Sequence, residues 1–374
     1  MTSQIRRSPN SGASEPPPTL GYGDEFGPYI ITGFAGSGAT SYVYRARRRD
    51  RFEPVAIKVL HPHLVAQPTK RLKFYREARI MMRMQHQNVV RFEEIIEDGT
   101  TLAFVMEYID GPTLEEWRRA HEGQLDEMEI ACVFVDILRG VTAAHREGVV
   151  HRDLKPANIL ITEEGGRAVA KIIDFGVARF VDQPLTEQEQ SKIVGTAAYI
   201  SPEEVGDPES VGQISDLYSI GVMLYEAACG RRPFDSMEVG DLLRAHLKSN
   251  PDRPREVNPE LSRGLEEVIL RTLAKNPGGR FASAPEMIGA LEQALQQGWM
   301  EDVESEEVEA TEATIEWSRV AEVEKKRSRS ASVGTFLKRC LEAAFILVAS
   351  PGVDNRVGDP HHLNRGSDAQ LPFR

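Results

Sequence analysis

The stretch that most limits the fold is GSGATSYVYRA, Gly36 to Ala46. Glycines at this spacing let backbone N–H groups approach phosphate oxygens closely. The residues after them decide which phosphate-binding architecture is meant. A dinucleotide fold needs strand, glycine turn and helix, then an acid roughly 20 residues on. A P-loop needs G-x-x-x-x-G-K-[ST]. Here TSYVYRARRR alternates Tyr42 and Tyr44 against Val43 and Arg45, a strand pattern, and no lysine follows the glycines. The arrangement left is a glycine hairpin that lids a nucleotide, with Gly36, Ser37, Gly38 and Ser41 facing the phosphates.

The rest of the chain divides into a β-rich part and an α-rich part. YIITGFAG leads into the hairpin, and EPVAIKVL, Glu53 to Leu60, reads as a third strand. KRLKFYREARIMMRMQH is helical, with Leu72, Tyr75, Ile80 and Met84 as its apolar positions. VVRFEEIIED and TTLAFVMEYI follow as two strands around a turn at Asp98-Gly99. Beyond DGPT the period becomes helical. Ile130, Val133, Phe134, Ile137, Leu138 and Val141 share one face, and Gly148 is placed to cap that helix. NILIT and VAKIIDF are short strands, SDLYSIGVMLYEAACG is a further apolar helix, and helices continue to about Gln297. This is an α+β, two-lobed layout.

Downstream motifs give the hairpin its context. VAIK puts Lys58 on the third strand, HRDLKPAN supplies Asp153, Lys155 and Asn158, DFG supplies Asp174, and SPE closes a long segment at Ser201 to Glu203. In this order and spacing, over residues 27–297, the chain resembles the eukaryotic-type (Hanks-type) serine/threonine protein kinases, in the style of their bacterial members.

The resemblance implies a two-lobed kinase fold, with an N-lobe over 27–109 and a C-lobe over 110–297. It implies an ATP-dependent phosphotransferase acting on Ser and Thr hydroxyls of proteins, because tyrosine kinases typically lack a lysine at position 155. Asp153 would be the catalytic base and Lys155 would neutralise the transferring γ-phosphate. Lys58 would grip the α- and β-phosphates, held by Glu77. Asp174 and Asn158 would take Mg²⁺, with Mn²⁺ as a substitute. Val43 and Ala56 would roof the adenine and Leu160 would floor it. Met106 falls at the gatekeeper position, and Glu107 and Ile109 at the hinge. Arg152 would pair with a phosphorylated activation-loop residue, with Thr186 or Ser191 as the phosphosite, and Thr196 would contact the acceptor groove. Glu203 would pair with Arg280, Asp216 would brace the catalytic loop, and His151 and Phe175 would stack. An ATP-binding, pseudokinase-like scaffold is the alternative; it would be expected to lack Lys58, Asp153 or Asp174, all of which are present.

The bulk numbers fit. A net charge of −12 argues against nucleic-acid binding. The cysteines Cys132, Cys229 and Cys340 lie far apart in apolar surroundings and read as buried thiols of a reducing compartment. The first 26 residues read as a disordered lead-in without a signal peptide, and no apolar run reaches the roughly 18 residues of a membrane helix. A cytoplasmic enzyme is the expectation, with protein substrates and a homodimer for autophosphorylation as its partners. Residues 298–374 read as an acidic then basic linker and tail, with a short amphipathic helix at 335–350 and tail serines Ser328 and Ser330 open to autophosphorylation. Two residues depart from the family pattern: Ser41 for the third glycine, and Ser201 for the usual alanine before Pro-Glu.

Overall fold

The computed structural model describes residues 20–38, 40–98, 101–121, 125–175, 197–236 and 238–297. The expectations for the lead-in, for Thr186, Ser191 and Thr196, for Cys340 and for the tail lie outside the described residues.

Six antiparallel strands form the first sheet: β1 (Glu25–Phe26), β2 (Tyr29–Ser37), β3 (Ser41–Arg48), β4 (Pro54–Leu60), β5 (Phe92–Asp98) and β6 (Thr101–Glu107). Their order is β1-β2-β3-β4-β6-β5. The period-2 pattern sorts two faces. Tyr42, Tyr44, Val55, Ile57 and Val59 pack on one side with Tyr29 and Ile31. Ala56, Leu60, Phe104 and Met106 pack on the other. Pairing in β2–β3 continues to Ser37 opposite Tyr42, so the glycine segment is strand almost to its tip.

The helix α2 (Pro68–Arg83), preceded by the short α1 (Pro62–Val65), covers the second face. Its buried positions are Phe74, Glu77, Ala78 and Met81. This corrects the apolar face read from the sequence. Leu72 is exposed, and Tyr75 and Ile80 are only partly buried, while Met84 is buried just past the helix end. The carboxylate of Glu77 shares the inward face with Phe74, Ala78 and Met81, and a polarity count leaves it out.

The α-rich part is built from α3 (Leu114–Ala120), α4 (Glu127–Arg146), the hairpin β7 (Ile159–Glu164) and β8 (Arg167–Ile172), then α5 (Pro202–Gly206), α6 (Gln213–Cys229), α7 (Val239–Lys248), α8 (Pro254–Val257), α9 (Arg263–Thr272) and a last helix over 284–297. The six α4 positions read from the sequence are all buried. Gly148, at φ 71°, ends α4 in a Schellman arrangement, with Val149 N–H donating to Ala144 C=O and Gly148 N–H to His145 C=O. Buried residues run unbroken from Ser215 to Tyr225, so α6 is the axis of this core. Cys132 and Cys229 are half-buried, less enclosed than expected.

One buried histidine makes this core acid-sensitive. His246 on α7 is 0% exposed, its Nδ1 lies 3.0 Å from the Tyr218 hydroxyl, and its ring packs edge-on to Phe234. Burial first, then the Lys275 charge, push its pKa down to about 3. A histidine depressed in the folded state is protonated earlier in the unfolded chain, so stability falls as pH drops below about 6.5. Between pH 7 and pH 5 that amounts to about 2 kcal/mol. Urea unfolding at both pH values should show the wild type losing that much more than His246→Asn; equal losses would remove His246 as the source.

Candidate active site

Two charged clusters carry the candidate residues. The first hangs from β4. Lys58 faces away from the Ile57 and Val59 side and toward α2. Its Nζ donates to Glu77 Oε1 at 2.5 Å and to Asp174 Oδ1 at 3.1 Å. One ammonium thus serves two carboxylates. Burial and the Asp174 charge hold Glu77 above the usual carboxylate range despite Lys58. Burial also opposes ionisation of Asp174, but Lys58 outweighs it and holds that carboxyl below its usual range. Lys58 itself stays above the ordinary lysine value: burial pulls it down, and Asp174 and then Glu77 more than offset that. The ammonium is therefore charged and pre-positioned.

The second cluster lies on the loop between α4 and β7. Lys155 Nζ donates to Asp153 Oδ2 at 2.8 Å. Asn158 Nδ2 donates to the Asp153 carbonyl at 2.8 Å and to its Oδ2 at 3.3 Å. The clusters are joined through the backbone, since Ile173 N–H donates to Asn158 C=O at 3.0 Å immediately before Asp174.

Buried Asp216 holds this loop from below. Its two carboxylate oxygens accept the N–H groups of His151 and Arg152, each at 2.9 Å, and His145 Nε2 lies 2.7 Å from Oδ2. Arg152 has φ 62°, the only non-glycine at positive φ among the described residues. Such a conformation persists where neighbours over-determine it, and the Asp216 carboxylate does so here. The Arg152 side chain is exposed. His151 and Phe175 pack ring to ring at 4.7 Å, and burial pushes His151 below its ordinary value, which keeps it neutral and structural.

Most of the apolar adenine candidates fall in one cluster. Ala56 and Met106 are cross-strand partners and belong to one cluster with partly buried Val43 and Ile109. Leu160, half-buried on β7, lies outside that cluster and is bridged to Thr113. Ile173, not singled out from the sequence, joins it; its place just before Asp174 was the available signal. Lys171 was likewise not singled out, and its Nζ donates to Glu107 Oε1 at 3.1 Å. The Glu107 amide donates to Arg91 C=O at 2.9 Å. Gly111 lets the hinge segment lie against β7: a Cβ there would fall 1.9 Å from Ile161 O.

The site fits a nucleotide with a divalent cation. A Cβ on Gly36 would meet nothing within 4 Å, and on Gly38 only Ser41 O at 3.7 Å, so packing within the chain does not demand either glycine. With Asn158 Nδ2 turned to Asp153, its Oδ1 and the Asp174 carboxylate are hard oxygen donors. Among the described residues no group of three or more His, Cys, Asp or Glu side chains could hold a metal alone. A divalent cation that takes one or two carboxylates plus substrate phosphates suits that shortfall.

The long segment from Asp174 closes on a buried ion pair. Arg280 donates to both Glu203 oxygens, at 2.7 and 2.9 Å. Ser201 is more than a small residue standing in for alanine, because it caps α5 through a reciprocal box with Glu204.

Comparison with known proteins agrees with this geometry. The protein kinase domain family matches residues 29–300. Serine/threonine-protein kinase PkaA of Streptomyces coelicolor is 38% identical over 265 residues, covering 67% of this chain and 47% of the relative. PknB of Mycobacterium leprae is 33% identical over 264 residues, covering 69% of this chain and 42% of the relative. The chain therefore spans less than half the length of these curated relatives. Among solved structures, the PknI kinase domain of Mycobacterium tuberculosis superimposes with a TM-score of 0.58 at 25% identity, covering 74% of this chain and 100% of that one. The fold, the paired clusters and these matches lead to one conclusion: the chain belongs to the protein kinase family, on its bacterial serine/threonine branch.

Proposed function

We propose that the chain is a serine/threonine protein kinase that transfers the ATP γ-phosphate to protein hydroxyls. The observation that carries this is the pair of intact clusters, Lys58–Glu77–Asp174 and Asp153–Lys155–Asn158. Phosphoryl transfer asks the protein for positioning and charge neutralisation more than for covalent chemistry. Lys58 would hold the α- and β-phosphates, with Glu77 fixing its direction. Gly36, Ser37, Gly38 and Ser41 would cover the phosphates; Val43, Ala56, Met106, Leu160 and the Glu107–Ile109 backbone would take the adenine. Asp153 would accept the hydroxyl proton, and Lys155, already on its carboxylate, would offset charge on the moving phosphoryl group. Asn158 and Asp174 would hold the cation, Mg²⁺ or Mn²⁺, which when bound supplies charge neutralisation at the phosphates.

Further parts of the proposal concern control and setting. Arg152 would order the activation segment by pairing with phosphorylated Thr186 or Ser191, and Thr196 would contact the acceptor groove. Phosphorylation between two copies would install the mark. Protein substrates and a cytoplasmic setting belong to the same reading. No helix among the described residues is long and apolar enough to cross a membrane.

The test is transfer of label from ATP with Mg²⁺, to the chain itself and to a generic Ser/Thr acceptor protein, followed by phosphoamino-acid analysis. Phosphoserine or phosphothreonine is the expected product. Label on tyrosine would contradict the role of Lys155. Tight ATP binding with no label on either acceptor would favour a scaffold.

A further inference from the structure

We propose that His61 is a positioning residue that locks the tip of the glycine hairpin to the strand carrying Lys58. The inference rests on the reading of that hairpin as a phosphate lid. In the β3–β4 ladder the last pair is Ser41 opposite Leu60, so His61 falls one residue past it, beside the turn. Its backbone N–H donates to Thr40 C=O at 2.8 Å. Its side chain crosses the tip, with Nε2 2.9 Å from Gly38 C=O. One residue therefore holds both arms of the turn. The turn is also closed on itself, Gly38 N–H donating to Ser41 C=O at 2.8 Å.

The chemistry fixes the state of the ring. A carbonyl only accepts, so Nε2 carries the proton. Nδ1 is buried without a hydrogen-bond partner. The Nε2–H tautomer is the one this contact requires. The ring is 6% exposed and stands edge-on to Tyr42 at 4.2 Å, which fixes its plane toward Gly38. His61 lies three residues after Lys58 on the same run of chain. The hydrogen bonds at 38 and 40 therefore set the height of the hairpin over the Lys58 ammonium. Glycine backbone is conformationally permissive, so a tether from outside the segment helps to hold its amides in one place.

The test compares ligands with and without phosphates on the full chain. Affinities for Mg·ATP and for adenosine are measured by calorimetry on wild type, His61→Phe and His61→Gln. Phenylalanine keeps the ring against Tyr42 and removes the donor; glutamine restores an N–H of similar reach. His61→Phe should weaken Mg·ATP about threefold to tenfold, the size of one neutral hydrogen bond, with adenosine unchanged. His61→Gln should return to within about twofold of wild type. In turnover the loss should appear in KM for ATP and leave kcat nearly constant. An unchanged ATP preference in His61→Phe would overturn the proposal alone. A wild type that binds adenosine as tightly as Mg·ATP would overturn the phosphate-lid reading too. The ¹⁵N resonances of the wild-type ring give a check that needs no variant: an Nδ1–H tautomer would be incompatible with the proposed bond.

Discussion

Asp153→Asn is expected to bind Mg·ATP as the wild type does and to transfer phosphate about 10²- to 10⁴-fold more slowly, the usual contribution of a positioned general base. The geometry explains why the effect is confined to turnover. Asp153 is held by Lys155 at 2.8 Å and by the Asn158 amide, whereas Lys58, Glu77 and Asp174 form a separate set of contacts. The amide is nearly isosteric, so the loop kept in place by Asp216 should survive. What is lost is a proton acceptor and the negative charge that orients the Lys155 ammonium. Single-turnover transfer to a Ser/Thr acceptor, read beside ATP affinity, separates the two effects. A variant that transfers at more than about a tenth of the wild-type rate would remove Asp153 from the base role. One that loses ATP binding in parallel would show the loop to be structural.

Much of this arrangement is legible in the chain itself, and the residues show why. Tyr42 and Tyr44 are buried on one face because strand geometry alternates sides, and alternation is visible in letters. The α4 stripe is legible for the same reason at a helical period. The resemblance supplied Lys58, Asp153, Asn158 and Asp174 as separate letters, and the fold brings them into two linked clusters. What failed was α2. Its inward face sets the Glu77 carboxylate, which reaches across to β4, among Phe74, Ala78 and Met81, so the apolar letter Leu72 misleads, being exposed. Ser201 reads as a small residue in place of another, although Ser201-Pro-Glu-Glu204 carries the S-x-x-E spacing of a capping box. His61 carries no signal at all, since its part comes from the turn lying beside it in space. Local periodicity and motif order can be read from a chain; side chains that act on backbone brought near by folding cannot.

Arg280→Met is expected to destabilise the fold by about 3–5 kcal/mol, the range for removing one partner of a buried ion pair. Arg280 and Glu203 have side chains 0% and 4% exposed, so the orphaned carboxylate would have no water to turn to. Burial opposes ionisation of Glu203, and the hydrogen bonds and charge of Arg280 overcome this, so its pKa lies below the usual carboxylate range. A depressed carboxylate contributes stability above its unfolded pKa and loses it as pH falls through the folded value. Without Arg280 the sign reverses: burial raises Glu203, and acid should then lessen the penalty. The guanidinium also donates to the carbonyls of Ala274 at 2.7 Å and Lys275 at 3.1 Å, so the methionine variant strands those acceptors as well. Urea unfolding of Arg280→Met and of the double variant Arg280→Met with Glu203→Gln separates these contributions. The double variant should recover part of the loss, because it removes the buried charge, though Ser215, which donates to Glu203 Oε1 at 2.7 Å, keeps an acceptor only in the amide oxygen. A single-variant loss below about 1 kcal/mol would place the pair among ion pairs that solvent already screens, contrary to its burial. Because Glu203 ends the segment that starts at Asp174, loosening this anchor should lower phosphoryl transfer even at temperatures where the chain stays folded.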